Sequence, residues 1–124
     1  MSVILIVEDN DKNMKLARDI LQAKGYATLE AITGEDGVLL AKEKLPDLVL
    51  MDIQLPGING IEAFKQLRAD PRTAGIPVAA FTASVTPTDR SKVIEAGFDA
   101  FLSKPINLKE FVATIKLLAE GGGP

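Results

Sequence analysis

Three short, uninterrupted apolar segments constrain the fold of this chain more than any other feature of its sequence. They are Val3–Val7, Leu48–Met51 and Val78–Phe81. A strand with one face in water alternates apolar and polar residues, whereas a continuous apolar run of this length indicates a strand buried on both faces, as in a parallel sheet. Two more mixed segments, Ala27–Ile32 and Ala100–Leu102, have the character of edge strands.

Amphipathic helical patterns follow each of these strands. The apolar stripes are Met14, Ala17, Ile20 and Leu21; Val38, Ala41 and Leu45; Ile61, Phe64 and Leu67; Val93, Ile94 and Ala96; and Leu108, Phe111, Val112, Ile115 and Leu118. Four N-cap candidates are each followed three positions later by an acid: Thr33, Asn59, Thr86 and Asn107. Five alternating β–α units predict an α/β fold, a single doubly wound five-stranded parallel sheet with helices on both faces. We expect one domain over residues 1–120 and a flexible glycine-rich tail over 121–124.

Composition excludes several kinds of chemistry. The 124 residues include no cysteine and no histidine, which removes thiolate catalysis, zinc–thiolate sites and the Ser-His-Asp triad. The net charge of −3 argues against broad binding to nucleic acid phosphates. No apolar run approaches the roughly 20 residues of a membrane span, and the N-terminus lacks a basic flank, so we expect a cytoplasmic protein without a membrane partner.

Polar side chains follow the predicted strands where each one ends. Glu8 and Asp9 follow the first, Asp52 the third, Thr82 the fourth and Lys104 the fifth. Ligands of open α/β sheets bind beyond the carboxyl ends of the strands. If the first and third strands are neighbours, three carboxylates meet there, with a hydroxyl and an ammonium close by.

This combination of residues favours a site for phosphoryl transfer that uses a bound metal ion. Clustered carboxylates repel one another, and an all-oxygen site of this kind suits Mg²⁺, which readily takes a phosphate oxygen. Lys104 and Thr82 would hold the other oxygens of a phosphoryl group. Asp52 ends a buried strand and is the best-placed nucleophile, since carboxylates form aspartyl-phosphates.

Four motifs at their present separations resemble the receiver domain of two-component response regulators. They occupy residues 6–10 (Ile-Val-Glu-Asp-Asn), 47–57 (Asp-Leu-Val-Leu-Met-Asp-Ile-Gln-Leu-Pro-Gly), 81–83 (Phe-Thr-Ala) and 103–105 (Ser-Lys-Pro). The likeness covers essentially the whole chain and implies the flavodoxin-like strand order 2-1-3-4-5. Residues 7–10, 13–16, 25–26 and 104–106 are similar to stand-alone receivers of the DivK type, although receivers inside hybrid kinases and multidomain regulators also carry such motifs.

The resemblance implies a role for each site residue. Asp52 is the expected phosphoacceptor and Lys104 contacts the phosphoryl group, with a cis peptide bond before Pro105. Asp9 is the expected direct Mg²⁺ ligand, Glu8 acts mainly through water, and the backbone carbonyl of Gln54 is a further ligand. Thr82 and Phe101 form the expected switch pair. Gln54 and Ser84 lie two residues beyond Asp52 and Thr82, and we expect them to tune the lifetime of the phosphorylated form.

Partners and departures also follow from the resemblance. The expected phosphoryl donor is a sensor histidine kinase or a histidine phosphotransfer protein, and the expected target binds the face built from the fourth helix, fifth strand and fifth helix. We expect a monomeric signalling switch rather than an enzyme, and no output domain after the fifth helix. Glu8-Asp9 stands where many members have two aspartates, and Phe101 stands where many have tyrosine.

Four alternatives fit the sequence less well. Met14 and Ile20 stand where an EF-hand loop starting at Asp9 needs glycine and glutamate. The acids at residues 8, 9 and 11 would repel the phosphate of a flavin. In a phosphatase with an aspartate nucleophile, Gln54 could not serve as the general acid. A receiver that only binds partners, independently of phosphorylation, would have lost an acid or the lysine, and none is lost here.

Overall fold

A computed structural model describes residues 2–82 and 87–120 of the chain. Within these residues, strands and helices alternate strictly. The strands are β1 (Val3–Val7), β2 (Ala27–Ala31), β3 (Leu48–Asp52), β4 (Val78–Thr82) and β5 (Ala100–Ser103). The helices are α1 (Asp11–Ala23), α2 (Gly34–Lys44), α3 (Gly60–Ala69), α4 (Pro87–Ala96) and α5 (Leu108–Ala119).

The strands form one parallel sheet in the order β2-β1-β3-β4-β5, as predicted. β1 therefore lies directly beside β3, which places the residues after these two strands at the same point of the sheet edge. Every residue of β3 and β4 is buried, while the edge strands β2 and β5 are mostly half-buried. The continuous apolar runs therefore mark the interior of the sheet, and the mixed ones its edges.

A separate apolar layer covers each face of the sheet. On one face, side chains of α1 and α5, such as Leu21 and Phe111, pack against Ile6, Leu50 and Phe81. On the other, helices α2 and α3 pack against alternate residues of the same strands. This arrangement confirms the doubly wound fold, because successive strand residues point to opposite faces.

The helix starts agree with the predicted N-caps. Thr33, Asn59 and Asn107 each accept a hydrogen bond from the backbone N–H three residues on. The predicted cap at Thr86 and the tail over 121–124 lie outside the described residues.

Leu45, Ile94 and Leu108 were expected in apolar stripes but are 54%, 62% and 57% exposed. Leu45 lies one residue beyond α2 with φ at 48°, a left-handed conformation that ends the helix and takes its side chain out of the stripe. Leu108 is the first residue of α5. No helix among residues 2–82 and 87–120 is long and apolar enough to cross a membrane.

Candidate functional site

Three carboxylates meet where β1 and β3 end. Glu8 and Asp9 follow the last residue of β1, and Asp52 is the last residue of β3. One carboxylate oxygen from each of the three lies within 4.8 Å of the other two. Glu8 and Asp52 are only 1% and 3% exposed, whereas Asp9 faces solvent. The structure thus brings together the acids that the sequence placed after separate strands.

Lys104 supplies positive charge to this cluster from beyond β5. Its ammonium lies 2.5 Å from Glu8 Oε1 and 3.2 Å from Asp52 Oδ2. The same nitrogen lies 4.9 Å from the centroid of the Phe81 ring, which forms an apolar and weakly attractive surface beside it. The Lys104–Pro105 peptide bond is cis, as expected.

Backbone N–H groups from the loops after the strands satisfy part of the carboxylate charge. Gln54 N donates to Asp52 Oδ1 at 3.0 Å, and Asn10 N donates to Glu8 Oε2 at 3.2 Å. Asn10 also caps α1, because its side-chain oxygen accepts from Asn13 N at 3.0 Å. One short segment therefore both starts a helix and orients a site carboxylate.

The cluster perturbs the titration of Glu8. Burial, followed by the hydrogen-bonding interaction with Asp52, raises the pKa of Glu8 to about 7, against the opposing effect of Lys104. A carboxyl group whose pKa lies so far above its usual range has a charged form that its neighbours do not stabilise enough to offset burial. Additional positive charge at the site would therefore stabilise the carboxylate form of Glu8.

The donor set fits a hard divalent cation. All three candidate ligands offer carboxylate oxygens, and Asp9 leaves the site open to solvent on one side. Mg²⁺ prefers oxygen ligands of this kind and keeps several waters in such sites. The three carboxylates therefore form a cluster whose ligand chemistry is suitable for a divalent metal ion.

A glycine allows the next helix to approach the phosphoacceptor candidate closely. A Cβ atom at Gly60 would collide with the backbone oxygen of Asp52 and would lie 2.7 Å from Ile53 Cα. Gly60 N donates to Ile53 O at 3.0 Å, which holds α3 against the end of β3. Because both obstacles are backbone atoms, only glycine fits at this position without moving the loop.

The two predicted switch residues lie on neighbouring strands. Thr82 ends β4 and is buried, and Phe101 lies half-buried on β5 opposite Ala80. Ala80 and Thr82 are two residues apart on one strand, so Thr82 and Phe101 share a face of the sheet. Thr82 also lines a cavity of about 290 Å³ together with Gln54. Ser84, the other predicted lifetime residue, lies outside the described residues.

Sequence reasoning missed three contributors to the site: Asn10, Gly60 and Phe81. Asn10 was not predicted as a helix cap because the residue three positions later is Asn13 rather than an acid. Gly60 directly follows the cap residue Asn59 and begins a helix. Because glycine is unfavourable in helices, its presence there is the signal that could have pointed to it. Phe81 was recognised only as part of a buried strand and of the Phe-Thr-Ala motif, since an aromatic residue in a buried strand is usually a core residue.

Comparisons with known proteins agree with this geometry. The family model of the response regulator receiver domain matches residues 4–116. The polar-differentiation response regulator DivK of Brucella ovis is 45% identical over 113 residues, which cover 91% of this chain and 92% of the relative.

Two solved structures are similar over nearly the whole chain. A receiver domain of a sensor histidine kinase from Pseudomonas aeruginosa, with a magnesium ion in its active-site cleft, aligns with a TM-score of 0.90 and 29% identity, covering 96% of this chain and 98% of that one. A receiver domain of a histidine kinase from Syntrophus aciditrophicus aligns with a TM-score of 0.90 and 30% identity, covering 98% and 92%.

Proposed function

This chain belongs to the response regulator receiver domain family, with a DivK-like sequence, and we propose that Asp52 accepts a phosphoryl group in a Mg²⁺-dependent reaction. The convergence of Glu8, Asp9 and Asp52 beside Lys104 is the observation that carries the proposal. The match to response regulators does not favour a module that works without phosphorylation.

Four groups would hold the metal ion: the carboxylates of Glu8, Asp9 and Asp52 and the backbone carbonyl of Gln54. When bound there, Mg²⁺ supplies positive charge beside the phosphoryl oxygens. Asp9 is the solvent-facing member of the set, which suits a direct ligand. Buried Glu8 already pairs with Lys104, which suits a role through water.

The transfer itself is an in-line displacement. A carboxylate oxygen of Asp52 forms a bond to phosphorus while the bond from phosphorus to a histidine nitrogen of the donor breaks, and that nitrogen keeps the electron pair. Lys104 pairs with the phosphoryl oxygens and Thr82 donates its hydroxyl to one of them. Gln54 N, already bonded to Asp52 Oδ1, holds the carboxylate in orientation. Positioning and neutralisation of charge are the main requirements of this chemistry.

Intact-mass measurement after treatment with acetyl phosphate and Mg²⁺ tests the proposal. We expect one phosphate adduct, lost with EDTA and lost in Asp52→Asn. Asp47→Asn is the matched control, because it makes the same substitution just before the other end of β3. An adduct that persists in Asp52→Asn would overturn the assignment.

Switching links the site to a partner surface. Receiver domains interact with histidine kinases or phosphotransfer proteins and with downstream targets. We propose that the phosphoryl group captures the Thr82 hydroxyl, that Phe101 then turns inward, and that the surface formed by α4, β5 and α5 on a monomer binds the target. In Thr82→Ala, phosphorylation should persist while amide chemical shifts on that surface stay close to those of the unphosphorylated protein. A wild-type response in that variant would contradict the coupling.

The phosphorylated lifetime is proposed to depend on Gln54 and Ser84. The exposed amide of Gln54 lines the cavity beside Thr82 and can orient a water for attack on phosphorus. We expect dephosphorylation in Gln54→Ala to slow by more than about twofold and Ser84→Arg to change water access. Timed loss of the phosphate adduct in saturating Mg²⁺ measures both. Rates within about twofold of wild type in both variants would place control of water access elsewhere.

The catalysis proposed here is confined to the chain's own phosphorylation and dephosphorylation. The chain is a response regulator, a signalling protein. We propose that it acts as a switch and turns over no separate substrate.

A further inference from the structure

A cation from α4 lies over the proposed switch residue of β5. The guanidinium carbon of Arg90 is 5.4 Å from the centroid of the Phe101 ring. A guanidinium within about 6 Å of an aromatic face is attracted to it electrostatically. This contact ties the exposed side of α4 to the edge strand of the sheet.

Phe101 is the described partner of the Arg90 guanidinium. The structure does not describe the side chain of Asp89. Among the side chains that it does describe, Arg90 has no ionic or ring partner other than Phe101. Phe101 has no hydroxyl, so the face of the ring is the part that a cation can attract. Arg90 itself is exposed, while the ring is half-buried.

We propose that Arg90 is a latch that holds Phe101 in its half-buried position and opposes the inward movement of the ring. The inference rests on the proposed switch role of Thr82 and Phe101. When the ring moves inward, away from the solvent-exposed guanidinium, the attraction weakens with distance. Only the half-buried position then gains from Arg90, and a contact that favours one of two conformations shifts their populations.

Removal of the guanidinium should therefore favour the inward position. At a solvent-exposed site the loss of this attraction corresponds to a change of roughly two- to fivefold in the equilibrium constant. Arg90→Gln removes the charge and keeps a long polar side chain. Lys24→Gln is the matched control, because it makes the same change of charge at an exposed residue just after α1.

Amide chemical shifts of α4 and β5 report the position of the equilibrium. The two reference states are the Mg²⁺-bound protein and the protein saturated with Mg²⁺ and beryllofluoride, a mimic of the phosphoryl group. In Mg²⁺ alone, we expect Arg90→Gln to move these shifts toward the beryllofluoride end, by an amount that corresponds to the roughly two- to fivefold change. Lys24→Gln should stay at the wild-type position.

A second substitution tests whether Arg90 acts through the ring. Phe101→Leu keeps an apolar side chain but removes the aromatic face, so Arg90→Gln should have no further effect in that background. An equal shift with and without the ring overturns the latch. Normal uptake of beryllofluoride with an unchanged equilibrium in Arg90→Gln overturns the latch alone, whereas a wild-type protein that takes up no beryllofluoride overturns the proposed function as well.

Discussion

Acidic residues lie at both ends of the sheet, and the two ends use them differently. At the end where the strands begin, Asp47 accepts from Val3 N at 2.7 Å, and Asp99 accepts from Val78 N at 2.8 Å and from Arg68 at 2.7 Å. At the end where the strands finish, Glu8 and Asp52 share a single ammonium. The first set binds the N–H groups of strand residues, whereas the second accepts from N–H groups of loops and forms a cluster that could hold a cation.

The direction of parallel strands explains this difference. Their first residues present N–H donors, which carboxylates can accept, while their last residues present carbonyl oxygens, which cannot bond a carboxylate. Acids beyond the carboxyl ends must find donors in loops or bind cations. The same residue type therefore pairs with strand N–H groups at one end of the sheet and forms the candidate metal-binding cluster at the other.

The largest expected effect concerns packing at the site end. Gly60→Ala should lower the free energy of unfolding by about 2–3 kcal/mol, because the new methyl group meets the backbone of Asp52 and Ile53. Phosphorylation should fall with it as the loop carrying Gln54 moves. Urea denaturation and the mass assay measure the two effects.

Gly75→Ala is the matched control for this prediction. A Cβ atom there meets nothing within 4 Å, so the substitution should be neutral or stabilising by up to about 1 kcal/mol. Equal losses of stability at both positions would show that the site end is no more tightly packed than the loop before β4.

The second prediction compares one isosteric substitution at the two ends. Asp99→Asn should lower the free energy of unfolding by about 1 kcal/mol, because charge-assisted hydrogen bonds to Arg68 and Val78 N weaken at a partly exposed position. Asp52→Asn in metal-free buffer should raise it by about 0.5–2 kcal/mol, because repulsion between buried carboxylates is relieved.

Added Mg²⁺ separates the two cases further. It should stabilise wild type and Asp99→Asn in thermal unfolding but have little effect on Asp52→Asn. Loss of stability in metal-free Asp52→Asn would contradict the proposed difference between the two ends, since both sets of acids would then stabilise the fold.

The smallest expected effect concerns Tyr26, which lies just before β2 at the end of the sheet where the strands begin. Burial, followed by its hydrogen bond to Glu120 at 2.7 Å, raises the pKa of Tyr26 to about 12. A pKa raised above its unfolded value means that this contribution to stability is complete below about pH 10 and is lost as the pH rises through about 12.

Ultraviolet absorbance of tyrosinate measures this titration cleanly, because the chain has one tyrosine and no tryptophan. Glu120→Gln should lower the midpoint only partly, since burial is the larger cause. Circular dichroism over the same range checks that the protein stays folded. A wild-type midpoint near 10 would mean that the phenol is freely solvated.

The fold and much of the site could be predicted because local patterns encode them. Continuous apolar runs identified the strands of the interior, and Asn59 and Asn107 marked helix starts by the bonds their side chains make. The site acids were predictable because each lies at the carboxyl end of an apolar strand segment, Glu8 and Asp9 directly after β1 and Asp52 as the last residue of β3. Burial of Ile94 was predicted wrongly, since spacing along a helix defines a stripe but not the surface that covers it.

Local order along the chain therefore specifies which residues form the parallel sheet and which acids and lysine lie at its carboxyl edge. How these groups meet depends on the tertiary structure. The sharing of Lys104 between Glu8 and Asp52, the approach of Gly60 to the backbone of β3, and the placement of Arg90 over Phe101 join residues far apart in sequence or on separate elements. Such contacts depend on strand order and on how helices lie against the sheet, because these set the distances between groups that no local pattern relates.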